Sequence, residues 1–125
     1  MGADTMQKLL IVEDDSNLRL LYEEEFREEG YDVALAASGE AAIEAIRGRR
    51  VDAVILDIQL GGIDGLETMR RMLSSGEGVA VVVNSAYASF KSDFASWSAD
   101  RYVVKSSDLT ELKAAVREVL ARRAA

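Results

Sequence analysis

Four short apolar runs punctuate the chain: LLIV (Leu9 to Val12), DVALA (Asp32 to Ala36), AVIL (Ala53 to Leu56) and VAVVV (Val79 to Val83). A weaker fifth, RYVV (Arg101 to Val104), follows the same pattern. The runs are rich in β-branched residues and do not alternate with polar ones, which predicts strands covered on both faces, as in a parallel sheet. Helical spacing fills the gaps between them. Leu18, Leu21, Tyr22, Glu25 and Phe26 predict a first helix stopping at Gly30, with Asp15 or Ser16 as its cap. Ser38 caps a second helix through Ile43 and Ile46, ending near Gly48. Leu66, Met69, Arg70, Met72 and Leu73 mark a third, ending before Gly76. Phe90, Phe94 and Trp97 suggest a short fourth. The last opens with DLTE, where Asp108 and Glu111 have capping-box spacing, and carries Leu109, Leu112, Val116, Val119 and Leu120 on its apolar face.

Strand and helix alternating in this way predict right-handed βα units, with helices on both faces of one parallel sheet. The 125 residues fit a single α/β domain, 49% hydrophobic and 30% charged, with a net charge of −7 that disfavours a nucleic-acid backbone as partner. MGADT reads as a frayed leader and ARRAA as a frayed end. No run reaches membrane-spanning length and the polar start is no signal peptide, so a cytoplasmic location is the expectation. The chain contains no Cys, no His and no Pro. Thiol chemistry, zinc–thiolate sites and the commonest general base are thereby excluded, and a bound metal should be a hard cation held by oxygen.

In open parallel sheets, ligands bind beyond the carboxyl ends of the strands. The first run ends in Glu13, Asp14 and Asp15, the third in Asp57, the fourth in Asn84 and Ser85, the fifth in Lys105; the second ends in nothing reactive. Acids, a hydroxyl and an ammonium thus converge on one edge. A magnesium-like cation would neutralise the acids. A carboxylate beside it can attack a phosphoryl group to form an aspartyl phosphate, whose charge the metal, the hydroxyl and Lys105 would complement. Each residue alone has an ordinary reading as a cap, a turn former or solvated surface. Their agreement across strands carries the argument.

These residues resemble the response-regulator receiver domain of bacterial two-component signalling, in the manner of a single-domain chemotaxis regulator. The resemblance lies in LLIVED with Glu13 and Asp14, VILD with Asp57, DIQLGGIDG ending in Asp64 and Gly65, Ser85 after the fourth run, and YVVK with Tyr102 and Lys105. It places a receiver domain over 8–122, between a leader over 1–7 and a frayed end over 123–125. It implies a flavodoxin-like (βα)5 three-layer fold with strand order 2-1-3-4-5, an order for which a protein of this family is a standing example. It also implies that Asp57 accepts phosphate from a histidine kinase or phosphotransfer protein. Glu13, Asp14, Asp57 and the Gln59 backbone carbonyl would hold Mg²⁺. Lys105 would pair with the acyl phosphate, Ser85 would swing toward it, and Tyr102 would change rotamer. The surface of the fourth helix, fifth strand and fifth helix would then meet an output protein, or pair two copies. On this reading the chain is a phosphoacceptor that assists its own phosphorylation and dephosphorylation rather than an enzyme. Its output runs through a partner, or through an effector domain if the receiver belongs to a longer chain; no nucleic acid or membrane is involved.

The chain departs from the receiver pattern at two positions. Gly61 stands where receivers usually carry Pro, which should loosen the loop after Asp57. Ser106 stands where Pro usually follows the Lys through a cis bond. A cis non-proline bond costs ~3–4 kcal/mol, so the alternatives are a trans bond with a re-routed loop or a strained cis bond. Tyr87 and Gln59 flank the expected phosphate position and should tune hydrolytic water. The aromatic stripe Phe90, Phe94 and Trp97 packs in the core or, if exposed, marks a hydrophobic partner patch. Three competing readings fit less well. A haloacid-dehalogenase-type phosphatase needs a second Asp where Gln59 stands, and a flavodoxin-like cofactor binder needs a phosphate loop where EDDSN is acidic. A phosphorylation-independent pseudo-receiver is disfavoured by the intact acid set.

Overall fold

The computed structural model describes residues 6–60, 64–76, 78–87 and 99–124. In chain order they form β1 (Lys8–Val12), α1 (Ser16–Glu28), β2 (Asp32–Ala36), α2 (Gly39–Ile46), β3 (Ala53–Leu56), α3 (Gly65–Ser74), β4 (Ala80–Ser85), β5 (Arg101–Val104) and α4 (Thr110–Ala124). The strands pair in parallel in the order β2-β1-β3-β4-β5, with β1 and β3 meeting at the centre. This is the doubly wound arrangement expected from the sequence.

Burial on both faces explains the unbroken apolar runs. One core joins Leu9, Ile11, Ile55, Val82 and Val103 to Tyr22 and Phe26 of α1 and to Leu112, Val116, Val119 and Leu120 of α4. The other joins Leu10, Val12, Val54, Leu56, Val81, Val83 and Tyr102 to Ala42 and Ile46 of α2 and Met69 and Met72 of α3. The caps are local. Asp15 accepts from the Asn17 and Leu18 N–H groups, Ser38 from Ala41 N–H, and Asp64 from Glu67 N–H, each satisfying a helix-terminal donor.

The fourth strand ends in Asn84 and Ser85, as its sequence indicates; they pair with Val103 and Val104 of β5 and are buried. Several expectations need correction. Leu21 and Leu73 are exposed, since the buried stripes are Tyr22 with Phe26 and Met69 with Met72. The capping box of the last helix is half made. Asp108 accepts from the backbone N–H and hydroxyl of Thr110, while its own N–H goes to Ser106 Oγ instead of Glu111. That helix spans Thr110–Ala124. The Lys105–Ser106 bond is trans. Gly61 and the stripe Phe90, Phe94 and Trp97, with the short helix expected there, lie outside the described residues.

Candidate functional site

Parallel register carries the strand ends to a common edge. Val12 and Leu56 are partners, so Glu13 and Asp57 follow side by side, tied by Asp57 N–H donating to the Val12 carbonyl at 3.1 Å. Across β4, Ser85 pairs with Val104, and Lys105 N–H donates to the Ser85 carbonyl at 2.7 Å. Strand alternation decides which side chains meet. Val12, Leu56 and Val83 face α2 and α3. Their successors Glu13, Asp57 and Asn84 therefore face α1 and α4, as does Lys105 two residues after Val103. Ser85 and Tyr102 point to the opposite face.

Lys105 is the hub of the cluster. Its Nζ lies 2.8 Å from Glu13 Oε1 and 3.0 Å from Asp57 Oδ2. The trans bond to Ser106 thus leaves the Lys105 ammonium directed at Asp57. The second Asp57 oxygen accepts from Gln59 N–H at 2.9 Å, and the second Glu13 oxygen accepts from Asp15 N–H at 3.2 Å. Glu13 and Asp57 are 2% and 4% exposed, so these partners replace the water that two buried carboxylates would otherwise need. Burial pushes the Glu13 carboxyl above its usual range against the pull of Lys105. For Lys105, burial acts downward, but the hydrogen bonds and charges of Glu13 and Asp57 outweigh it and raise its pKa.

Glu13, Asp14 and Asp57 each offer a carboxylate oxygen, all within 4.8 Å of one another, with Asp14 exposed to solvent. In an octahedral site with bonds of about 2.0–2.1 Å, donors lie roughly 2.9 to 4.1 Å apart, so small side-chain movements would suffice to form one. Three carboxylates and one ammonium carry a formal excess of two negative charges, which one divalent cation balances. The donor set therefore fits a hard divalent ion. Gln59 sits on the exposed loop beside Asp57, where its N–H holds the carboxylate.

Ser85 makes no side-chain hydrogen bond to Asp57 among the described residues. It is fully buried, and its Oγ accepts from Tyr87 N–H at 3.1 Å. The Tyr87 carbonyl in turn accepts from the Tyr102 hydroxyl, and Tyr102 is 2% exposed. One peptide segment at Tyr87 therefore connects the expected phosphate-binding hydroxyl to the expected switch aromatic.

Two site neighbours escaped the sequence reading. Tyr22 of α1, assigned there simply to the apolar face, accepts a hydrogen bond from Asn84 Nδ2 at 3.1 Å, and both residues are buried. Burial raises the Tyr22 phenol pKa; the Asn84 hydrogen bond and the Lys105 charge oppose this, while Glu13 and Asp57 reinforce it. Arg19, one turn into α1, donates from Nη1 to the carbonyls of Glu13 at 2.8 Å and Asp14 at 3.4 Å. An arginine shortly after an acidic turn is a visible signal, whereas nothing near Tyr22 in sequence indicates Asn84.

Comparison with known proteins agrees with this geometry. Residues 9–117 match the family described as the response regulator receiver domain. Sporulation initiation phosphotransferase F of Bacillus subtilis is 33% identical over 116 residues, covering 91% of this chain and 94% of that protein. Transcriptional regulatory protein AfsQ1 of Streptomyces coelicolor is 36% identical over 118 residues, covering 94% of this chain but only 52% of that protein. The chain thus spans nearly all of one relative and about half of the other. Among solved structures, response regulator TrrA of Thermotoga maritima, in complex with Mg²⁺-BeF, superposes with a TM-score of 0.85 at 39% identity, covering 91% of this chain and 99% of that one. A chain from the complex of histidine kinase ThkA with TrrA gives a TM-score of 0.84 at 40% identity, covering 92% and 99%. Among the described residues no helix is long and apolar enough to cross a membrane. Sequence, topology and site together place this chain in the response regulator receiver domain family of two-component systems.

Proposed function

We propose that Asp57 is the phosphoacceptor of a phosphorelay, charged by the phosphohistidine of a histidine kinase or phosphotransfer protein. The carrying observation is the buried Asp57 carboxylate held between the Lys105 ammonium at 3.0 Å and the acidic pair Glu13 and Asp14. An Asp57 oxygen attacks phosphorus, the new P–O bond forms as the P–N bond to the donor imidazole breaks, and the imidazole leaves with the bonding pair. Glu13, Asp14, Asp57 and the Gln59 carbonyl would hold Mg²⁺, which when bound would supply charge compensation for the phosphoryl oxygens. Lys105 holds Asp57 in place before attack and pairs with the phosphoryl group after it. The kinase complex of the TrrA relative supports a histidine-kinase donor.

Output follows from the Ser85–Tyr87–Tyr102 path. Ser85 turns its hydroxyl from Tyr87 N–H toward the phosphoryl oxygens, the Tyr87 segment shifts, and Tyr102 repacks with it. The altered surface near β5 and α4 is read by a partner protein or by an attached effector domain. The chain is a self-modifying phosphoacceptor, with no separate substrate turned over.

Incubation with a small phosphodonor and Mg²⁺, followed by intact mass measurement, tests the reading. Wild type should gain one phosphate only with Mg²⁺, and Asp57→Asn should gain none. Failure of wild type to gain phosphate, with no Mg²⁺ bound, would instead support a phosphorylation-independent interaction module.

A further inference from the structure

The Glu13–Asp14 turn must bring two carboxylates toward Asp57 against their mutual repulsion. Its backbone is held from several directions. Glu13 N–H donates to the Ala36 carbonyl at 3.1 Å, and Asp15 caps α1 through Asn17 and Leu18. The carbonyls of Glu13 and Asp14 themselves are gripped by one side chain, that of Arg19, at 2.8 and 3.4 Å. Arg19 is partly buried, and among the described residues its guanidinium pairs with no carboxylate, although Glu13 and Asp14, whose carbonyls it contacts, both carry one. It spends its donors on peptide oxygens and leaves the acidic oxygens to others.

We propose that Arg19 is a positioning residue for the divalent-cation site, fixing the Glu13 and Asp14 peptides so that their carboxylates converge with that of Asp57. The inference rests on the phosphoacceptor reading above, which supplies the cation. Two physical effects of Arg19 on a cation have opposite signs. As a nearby positive charge it repels the ion, so its removal should tighten binding. As a clamp it holds the ligands in register, so its removal should weaken binding; groups that orient metal ligands typically contribute about tenfold or more in affinity. The contact with carbonyls rather than carboxylates decides for the clamp, because it fixes the peptides that carry the ligands and pairs with none of the ligand oxygens.

The experiment is Mg²⁺ titration by calorimetry of the full chain as wild type, Arg19→Met and Arg19→Lys, with urea unfolding of each metal-free protein as the folding control. Arg19→Met should weaken Mg²⁺ about tenfold. Arg19→Lys, which keeps a charged donor of similar reach, should recover part of that loss. Should Arg19→Met fail to fold, Arg19→Lys carries the test alone, and weaker binding than wild type is the expected result. A purely structural role would lower the urea midpoint and leave Mg²⁺ affinity unchanged in the folded protein. Unchanged or tighter binding in a folded variant overturns the clamp while the phosphoacceptor reading stands. Wild type that binds no Mg²⁺ overturns both.

Discussion

Gly65 offers the sharpest mechanical test of how the fold holds Asp57. It is the first residue of α3, its N–H donates to the Ile58 carbonyl at 3.1 Å, and the helix start rests directly on the loop carrying Asp57. A Cβ at this position would lie 2.2 Å from Ile58 Cα, 2.6 Å from the Asp57 carbonyl oxygen and 2.8 Å from the Ile58 carbonyl carbon. Real Cβ contacts essentially never fall below 3.0 Å, so Gly65→Ala must drive the Asp57–Ile58 backbone and α3 apart by at least about 0.8 Å. All three neighbours are backbone atoms, and no rotamer change can absorb the overlap. Overpacking of this kind costs about 1–3 kcal/mol, and a purely backbone clash belongs at the upper end. A misplacement near 1 Å at a reacting group can slow chemistry about 100-fold. Urea unfolding should therefore show a loss of about 3 kcal/mol, and phosphorylation by a small donor should slow by roughly two orders of magnitude. Asp64→Ala is the control. It removes the N-cap hydrogen bond to Glu67 N–H without adding bulk, so it should cost about 1 kcal/mol and leave the rate near wild type. Wild-type stability and rate in Gly65→Ala would refute the claim that α3 is seated on the phosphoacceptor loop.

Other perturbations probe the charged and polar contacts. Lys105→Met leaves Glu13 and Asp57 facing each other without their shared ammonium, and should lower metal-free stability by about 2–4 kcal/mol. Mg²⁺ should restore more stability to this variant than to wild type, because the competing cation is gone; equal gains in parallel urea curves would contradict the bridge. Tyr22→Phe strands the Asn84 amide in the core and should cost about 1–3 kcal/mol by urea unfolding, whereas no change would show that the amide has another partner. The folded pKa of Lys105 lies above its ordinary 10.5. Its ion pairs therefore contribute fully below about pH 10.5, and that contribution is lost as pH rises through the folded value. Stability measured across this window should fall more steeply for wild type than for Lys105→Met. Glu13 also has a raised pKa, so its proton competes with a cation as pH falls toward that value, and calorimetric Mg²⁺ affinity should weaken on acidification from neutral pH.

The strands and the reactive edge were legible because they depend on short-range pattern. Runs such as AVIL have no polar face, which only a doubly covered sheet accommodates, and Asp57 and Lys105 stand at the strand ends where such a sheet collects ligands. What stayed hidden depends on pairing over long separations. Asn84 looks like the end of a strand by polarity, yet its partner Tyr22 lies 62 positions away on α1 and keeps it buried. Leu21 has the chemistry of a core residue, but the stripe from Leu18 through Tyr22 to Phe26 turns it outward. Glu111 matched the capping-box spacing, and Ser106 reached the Asp108 N–H instead. Gly65 was legible as the end of the DIQLGGIDG loop, but only three dimensions show that the Asp57 carbonyl occupies the space of its missing Cβ.

The most direct measurement is chemical location of the phosphate. Phosphorylated protein would be reduced with borohydride, which converts an aspartyl phosphate to homoserine, then digested and sequenced by mass spectrometry. The account predicts homoserine at position 57, formed only when phosphodonor and Mg²⁺ were both present. Homoserine at Asp14 or another aspartate, or none at position 57 in protein that has demonstrably taken up phosphate, would contradict it.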